Sequence, residues 1–125
     1  MTPEPGDIVL IPFPYSDLSS AKKRPVLVLT PLDRHGDFIA AGITSAEQQG
    51  DAVILNTESL LSGRLPKKSW VRTDKVFTLS REIVEKRFGA VRAETFQAVM
   101  LSICRTLGCI EKTGTDSAGA RPAHS

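Results

Sequence analysis

Arginine, threonine, serine and carboxylate side chains are the groups in this sequence that could do chemistry. Residues 69–73 predict a strand, in which alternate side chains share a face, so Trp70, Arg72 and then Asp74 lie together. Residues two apart on a strand are ~7 Å apart at Cα, close enough for Arg72 and Asp74 to reach one phosphodiester group. A base could take the proton of a ribose 2′-hydroxyl that attacks the adjacent phosphate, while a fixed cation stabilises the growing negative charge.

This pair is therefore a candidate for RNA cleavage without a metal. The same spacing also suits two structural roles. Arg72 and Asp74 could form an ordinary ion pair, or Asp74 could close an Asx turn at the end of the strand. The local pattern leaves these three interpretations open.

Other catalytic chemistries have little support in the sequence. The two histidines, His35 and His124, lie in a turn-rich loop and near the chain end, so a two-histidine mechanism is not expected. Neither has Cys, Asp or Glu at the spacing of metal ligands, and no glycine-rich phosphate loop is present. We therefore expect no bound metal and no cofactor.

The charge of the chain is unevenly distributed. Its formal net charge is +2, but residues 64–92 hold nine basic and three acidic side chains, a local net charge of +6, whereas residues 25–63 carry −4. A basic segment on a nearly neutral chain suits a polyanion such as RNA, because each Lys or Arg near a phosphate releases counterions. Charge alone fits solvated surface side chains equally well.

Length and composition limit the class of protein. A chain of 125 residues with 41% hydrophobic and 24% charged residues fits one globular domain with a single core. Its longest apolar runs, 8–11 and 26–29, are too short to span a membrane, and the acidic N-terminus does not resemble a signal peptide. These features predict a cytoplasmic protein with no membrane partner, in which Cys104 and Cys109 are reduced thiols.

The elements that must position the candidate residues are mostly strands. Apolar, β-branched runs predict six short strands at 7–13, 25–30, 38–44, 52–55, 69–73 and 76–79. The continuous apolar pattern of 26–29 indicates burial on both faces. A short helix is predicted at 57–62 between Asn56 and Gly63, and another from Ser80 to residue 86, with Gly89 as its stop.

The strongest helical pattern lies at residues 92–107 and ends at Gly108. Its apolar stripe consists of Phe96, Val99, Met100, Ile103 and Leu107. The predicted fold class is mostly β (α+β), a small antiparallel barrel closed by a C-terminal helix. We expect residues 1–109 to form this domain and residues 110–125 to form a disordered tail.

Several short segments together form a recognisable pattern. They are Pro-Gly-Asp-Ile-Val-Leu at 5–10, Lys-Arg-Pro-Val-Leu-Val-Leu at 23–29, Ile-Thr-Ser at 43–45, Trp-Val-Arg-Thr-Asp-Lys at 70–75, and Thr-Leu at 78–79 leading into Arg-Phe-Gly at 87–89. In order and approximate spacing, from residue 5 to about residue 108, they resemble the MazF/PemK toxins, the toxic partners of type II toxin–antitoxin pairs.

The resemblance implies a homodimer with an SH3-like barrel in each subunit. It also implies a metal-independent, sequence-specific endoribonuclease that cleaves single-stranded RNA and leaves a 2′,3′-cyclic phosphate and a 5′-hydroxyl. A small antitoxin with a disordered acidic segment would cover the basic RNA groove and neutralise the enzyme.

The resemblance also assigns site residues. In the MazF branch, the catalytic residues correspond to Arg24 and Thr44. In the PemK/Kid branch, they correspond to Arg72 and Asp74, and this sequence holds both pairs. The remaining candidates are RNA-binding residues, taken from the resemblance and from the basic segments: Ser16, Asp17, Lys22, Lys23, Ser45, Lys67, Lys68 and Lys75.

The sequence departs from the family in the loop before Arg24. Many members carry a Glu-Gln-Gly-Gly-like stretch there, which residues 15–23 lack, so the preferred RNA sequence does not carry over. Structural roles for the MazF-branch pair also remain open: Arg24 could pair with an acidic loop residue, and Thr44 could be an ordinary β-branched strand residue.

Two other functions remain as alternatives. The first is a non-catalytic barrel that binds nucleic acid or protein. The second is a gyrase-inhibiting toxin similar to CcdB, whose helix is expected to end in an aromatic–glycine–apolar sequence. Here the helix ends at Leu107 and Gly108 without the aromatic residue, which disfavours this second alternative.

Overall fold

A computed structural model of the protein describes residues 2–12 and 23–109. Within these residues the chain forms seven strands and one α-helix. They are β1 (Asp7–Pro12), β2 (Lys23–Val28), β3 (Asp37–Thr44), β4 (Val53–Leu55), β5 (Leu60–Gly63), β6 (Ser69–Ser80), β7 (Lys86–Val91) and α1 (Ala93–Leu107).

All seven strands belong to one antiparallel sheet. The strand order is β4-β6-β3-β2-β1-β7-β5, so β4 and β5 lie at its edges. The sheet curls into a nearly closed barrel, and α1 follows the last strand. The predicted fold class, a mostly β barrel closed by a C-terminal helix, is confirmed.

The core consists of two apolar clusters on the two faces of the sheet. One cluster joins Leu27 and Val71 of the sheet to Val99 and Ile103 of α1. The other contains Val26, Val28 and Phe38. Alternate residues of β2 thus enter different clusters, which confirms the prediction that its apolar run is buried on both faces.

The predicted helix at 57–62 is wrong beyond its first turn. Asn56 does cap a single 3-10 turn (Thr57–Ser59), because its Oδ1 accepts a hydrogen bond from the Glu58 backbone N–H at 3.0 Å. The chain then enters β5, which pairs with β7. Pairing along the sheet edge satisfies more backbone groups than a second helical turn would, and isolated short helices are marginal.

The predicted helix between Ser80 and residue 86 is likewise a single turn (Arg81–Ile83), capped by Ser80. It leads into β7, a strand that the sequence analysis missed. Gly89 is not a helix stop: it lies within β7, directly opposite Gly63 of β5. The close approach of these two backbones leaves no room for a side chain.

The strands expected at 69–73 and 76–79 form one long strand, β6, with an irregularity in the middle. Gly42 of β3 pairs with Arg72, whereas its neighbour Ala41 pairs with Val76. Residues 73–75 are therefore extra relative to β3 and form a β-bulge.

The long helix is confirmed as α1, which ends at Gly108 in a left-handed conformation with φ 83°. Val99 and Ile103 are buried and Phe96 and Met100 pack against them, but Leu107 is 72% exposed and does not belong to the core.

Several predictions concern residues that the structure does not describe. Ser16, Asp17 and Lys22 lie outside the described residues, as does the predicted tail at 110–125. Where the fold is described, Cys104 and Cys109 are both free, and no helix is long and apolar enough to cross a membrane.

The contact between Gly63 and Gly89 predicts a steric effect on stability. Gly63 and Gly50 have nearly the same φ, 80° and 79°, but a Cβ at Gly63 would overlap the Phe88 carbonyl, whereas a Cβ at Gly50 meets open space. Gly63→Ala should therefore lower the free energy of unfolding by about 1–3 kcal/mol more than Gly50→Ala. Urea unfolding of both variants measures the difference, and equal losses would contradict a tight β5–β7 contact.

Candidate active site

Four of the predicted site residues converge on one depression in the barrel surface. Arg24, Thr44, Arg72 and Lys75 line a cavity of about 240 Å³. They come from three different strands, and three of them are positively charged. The structure thus brings together one residue pair from the MazF branch and the arginine of the PemK branch.

The sheet register explains this convergence. Val26 of β2 pairs with Gly42 of β3 in antiparallel register. Arg24, two residues before Val26, and Thr44, two residues after Gly42, therefore lie at the same end of the β2–β3 hairpin. Arg72 of β6 pairs with Gly42 from the other side. Gly42 itself lines the cavity, and a Cβ there would be in ordinary van der Waals contact with Lys75 and Phe77 at 3.7 Å.

The bulge in β6 brings Lys75 to the same cavity as Arg72. Simple alternation would place residues three apart on opposite faces of the strand. Within the bulge, Thr73 is buried, and its hydroxyl oxygen lies 3.1 Å from that of Ser102 on α1. Ser102 in turn donates a hydrogen bond to the Asp51 carbonyl. These bonds attach the bulge to the helix.

Arg72 and Asp74 form a two-pronged ion pair. Nη2 of Arg72 donates to Oδ2 of Asp74 at 2.8 Å, and Nε donates to Oδ1 at 3.2 Å. This hydrogen bonding to Arg72 is the main cause of a lowered pKa of the Asp74 carboxyl. Asp74 lines a neighbouring depression together with Asp51 and Thr73, and not the cavity of Arg24 and Thr44.

Thr44 presents a hydroxyl with a fixed oxygen. Its Oγ1 accepts a hydrogen bond from the Ala46 backbone N–H at 3.1 Å. A hydroxyl that accepts in this way can still donate its own hydrogen. Thr44 can therefore donate to an anion bound between Arg24 and Arg72.

A second depression of about 300 Å³ shares Arg24 and Thr44 with the first. Its polar lining includes Lys23, Ser45 and Lys67, and its apolar lining consists of Leu10, Pro25, Ile43, Leu65, Pro66 and Phe88. The sequence analysis did not single out these apolar residues, because they look like ordinary core positions. An apolar surface beside cationic side chains suits a nucleobase next to a phosphate.

The basic residues continue into a third depression of about 500 Å³, lined by Arg64, Lys67 and Lys68 among others. Lys68 lies over the Trp70 ring, with Nζ 5.6 Å from its centroid. Lys23, at the other side, forms an ion pair with Glu85 at 2.7 Å. Because the second depression shares residues with both others, the three form a continuous basic track.

A metal centre of several ligands is not found in the part of the chain that the structure describes, where no three His, Cys, Asp or Glu residues come together. The chemical groups available along the basic track are guanidinium, ammonium and hydroxyl groups, and the carboxylates of Asp74 and Glu85 lie beside them in ion pairs with Arg72 and Lys23.

Comparison with known proteins identifies the family. The model of the PemK-like, MazF-like toxins of type II toxin–antitoxin systems matches residues 4–107. The chain belongs to this family. No curated protein sequence gives a significant match to this MazF-like toxin.

Three solved structures are among those similar to this MazF-like toxin. An endoribonuclease in complex with its cognate antitoxin, from Mycobacterial species, has a TM-score of 0.70 and 18% identity, covering 87% of this chain and 98% of that one. A MazE-MazF structure from Deinococcus radiodurans has a TM-score of 0.65 and 23% identity, and the match covers 86% of this chain and 97% of that one. The Mycobacterium tuberculosis toxin MazF-mt6 has a TM-score of 0.64 and 20% identity, and the match covers 82% of this chain and 96% of that one. These TM-scores show a shared fold.

The lowered pKa of Asp74 predicts how the ion pair contributes to stability. In the folded toxin the Asp74 carboxyl binds its proton less readily than in the unfolded chain. The contribution is therefore fully present above about pH 4 and is lost as the pH falls through the lowered pKa. Asp74 is 57% exposed, so Asp74→Asn should cost no more than the ~0.2–1 kcal/mol of a surface pair at pH 7.

Thermal unfolding of the parent and Asp74→Asn at pH 7 and near pH 2 tests this expectation. The difference between the two proteins should disappear at the lower pH. A difference that persists there would mean that asparagine acts through packing and not through the lost charge.

Proposed function

We propose that this MazF-like toxin is an endoribonuclease that cleaves single-stranded RNA at the cavity of Arg24, Thr44 and Arg72. The observation that carries the proposal is the convergence of two arginines and a threonine hydroxyl from three strands on one depression. Guanidinium groups remain charged at all physiological pH values and match the oxygens of a phosphate. A scissile phosphate is therefore the ligand that this arrangement fits.

In the proposed reaction, the ribose 2′-hydroxyl loses its proton and its oxygen attacks the adjacent phosphorus. The bond from phosphorus to the 5′-oxygen breaks, and the 5′-oxygen takes up a proton from water. The products are a 2′,3′-cyclic phosphate and a 5′-hydroxyl. Arg24 and Arg72 stabilise the extra negative charge of the transition state, and Thr44 donates a hydrogen bond to a phosphate oxygen. The fixed positive charge makes a metal ion unnecessary.

Asp74 acts mainly through Arg72 in this proposal. In the structure its two carboxylate oxygens both accept hydrogen bonds from Arg72. Asp74 therefore orients the guanidinium, and it becomes free to accept the 2′-hydroxyl proton when Arg72 turns to the phosphate. This order of importance, with Arg24, Thr44 and Arg72 at the phosphate, is the one that the geometry supports.

The basic track supports single-stranded RNA as the substrate, and we propose that its cleavage is sequence-specific. We propose that successive phosphates contact four lysines of this surface, Lys75, Lys23, Lys67 and Lys68. Ser45 would contact the RNA beside the cleavage site. The apolar lining of the second depression suits an unstacked base, which a single strand presents and a duplex does not. Ser16, Asp17 and Lys22, in the loop before Arg24, remain predicted RNA contacts.

Two protein partners complete the proposal. We propose a homodimer of about 27 kDa, twice the chain mass of 13.6 kDa, which would bring two basic tracks together. We also propose a cognate antitoxin whose acidic segment occupies the basic track and excludes RNA. A mycobacterial endoribonuclease with this fold is found in complex with its cognate antitoxin, which supports such a partner.

Alanine variants of the two arginines test the site. Arg24→Ala and Arg72→Ala should each reduce the rate of RNA cleavage by roughly 10²–10³, the loss typical of removing a group that stabilises an oxyanion. Thr44→Val should lose most of the activity as well. The measurement is single-turnover cleavage of a long single-stranded RNA by the purified chain.

Arg34→Ala is the matched control, because Arg34 is an exposed arginine in the turn at the opposite end of the β2–β3 hairpin. It should cleave at the parent rate. Thermal unfolding and light scattering check that every variant remains folded in the same assembly state. If both cavity variants also cleave at the parent rate, the residue assignment fails, and a non-catalytic barrel that binds nucleic acid or protein becomes the better interpretation.

The proposed mechanism also predicts that cleavage continues when metal ions are removed. Because Arg24 and Arg72 supply the positive charge, the rate in excess EDTA should equal the untreated rate. A magnesium-dependent ribonuclease in a parallel reaction serves as the control and should lose its activity. Cleavage that requires added magnesium or zinc would contradict the mechanism.

A further inference from the structure

The two cysteines meet at the C-terminal end of α1, away from the proposed active site. The Gly108 N–H donates to the Arg105 carbonyl at 3.2 Å, and the Cys109 N–H donates to the Cys104 carbonyl at 2.9 Å. Gly108 adopts the left-handed conformation, with φ 83°. This combination is the Schellman motif, in which the chain folds back over the last helical turn.

In a Schellman motif an apolar contact frequently forms between the side chains at the two ends of the folded-back segment. Here these positions hold Cys104 and Cys109. The Cys109 thiol also donates to the Cys104 carbonyl at 3.3 Å. The neighbouring Cys109 thiol is the main cause of a raised pKa of Cys104. The motif thus holds two free thiols together.

The two thiols differ in accessibility. Cys109 is exposed, whereas Cys104 is half-buried. Neither residue lines the basic track or bonds to the bulge that carries Arg72. An exposed thiol beside a more protected one is the arrangement of an attacking and a resolving cysteine.

We propose that Cys104 and Cys109 form a reactive dithiol site that is oxidised by low-molecular-weight disulfides, such as oxidised glutathione, to an intrachain disulfide across the end of α1. The site is independent of the proposed RNA cleavage.

The reaction is two successive thiol–disulfide exchanges. The Cys109 thiolate attacks one sulfur of the small disulfide, its S–S bond breaks, and one thiolate leaves. The Cys104 thiolate then attacks the Cys109 sulfur of the mixed disulfide, and the second small thiolate leaves. Two cysteines are oxidised and one small disulfide is reduced to two thiols, which take up the two cysteine protons.

The first test uses the full chain, reduced and then incubated with oxidised glutathione, with free thiols alkylated before mass spectrometry. The parent protein should lose two hydrogens and retain no glutathione. Cys104→Ser should stop as a glutathione adduct on Cys109, because the resolving thiol is missing. Cys109→Ser should react much more slowly. A parent protein that accumulates the glutathione adduct, or that forms disulfides between chains, overturns the proposal.

The second test asks whether the Schellman motif brings the thiols together. Gly108→Ala and Gly50→Ala both place alanine at a positive φ, 83° and 79°, with open space around the new Cβ. The left-handed conformation costs alanine enough to lower the equilibrium constant for ring closure by roughly 5–30-fold in Gly108→Ala. Gly50→Ala should close like the parent. Equal equilibrium constants for Gly108→Ala and the parent would show that the helix end does not create the site.

Discussion

The positions of Arg72 and Lys75 depend on the three extra residues in β6. The strand pairs with β3 on both sides of this bulge, so the bulge cannot slide without breaking one of the paired stretches. Thr73 turns its hydroxyl inward, where an unsatisfied polar group would be costly, and Ser102 and the Asp51 carbonyl provide its partners. The docking of α1 is thus a condition for the geometry of Arg72 and Lys75.

Grouping Arg24, Arg72 and Lys75 around one cavity opposes stability through repulsion between like charges. Asp74 offsets part of this repulsion by pairing with Arg72, at a place where it does not occupy the cavity. The residues that line the cavity thus include three cations and no acidic side chain. A strongly packed β core, with β2 buried on both faces, supplies the stability that such a site requires.

The elements that could be predicted from sequence are those with a local signal. The apolar runs of β1 and β2 and the stripe of α1 are sufficient by themselves. β5 and β7 carry no such signal, because neither Leu60–Gly63 nor Lys86–Val91 contains three consecutive apolar residues. Their pairing depends on the close approach of Gly63 and Gly89, which are distant in the chain. A local pattern cannot show that two glycines face each other, so residues near both were predicted to be helical.

Some features of the candidate site could likewise be predicted from a local sequence pattern, and others could not. Alternation along a strand correctly predicts that Arg72 and Asp74 lie close together, and the ion pair considered alongside catalysis is present in the resting structure. Alternation also predicts that Lys75 points away from Arg72, and the bulge reverses this. The meeting of Arg24 and Thr44 with Arg72 requires β3 to lie between β2 and β6, a non-sequential arrangement that only the family resemblance could anticipate. Spacing along one strand can therefore suggest a reactive pair, but the cavity that gives the pair a function arises from the order of the strands.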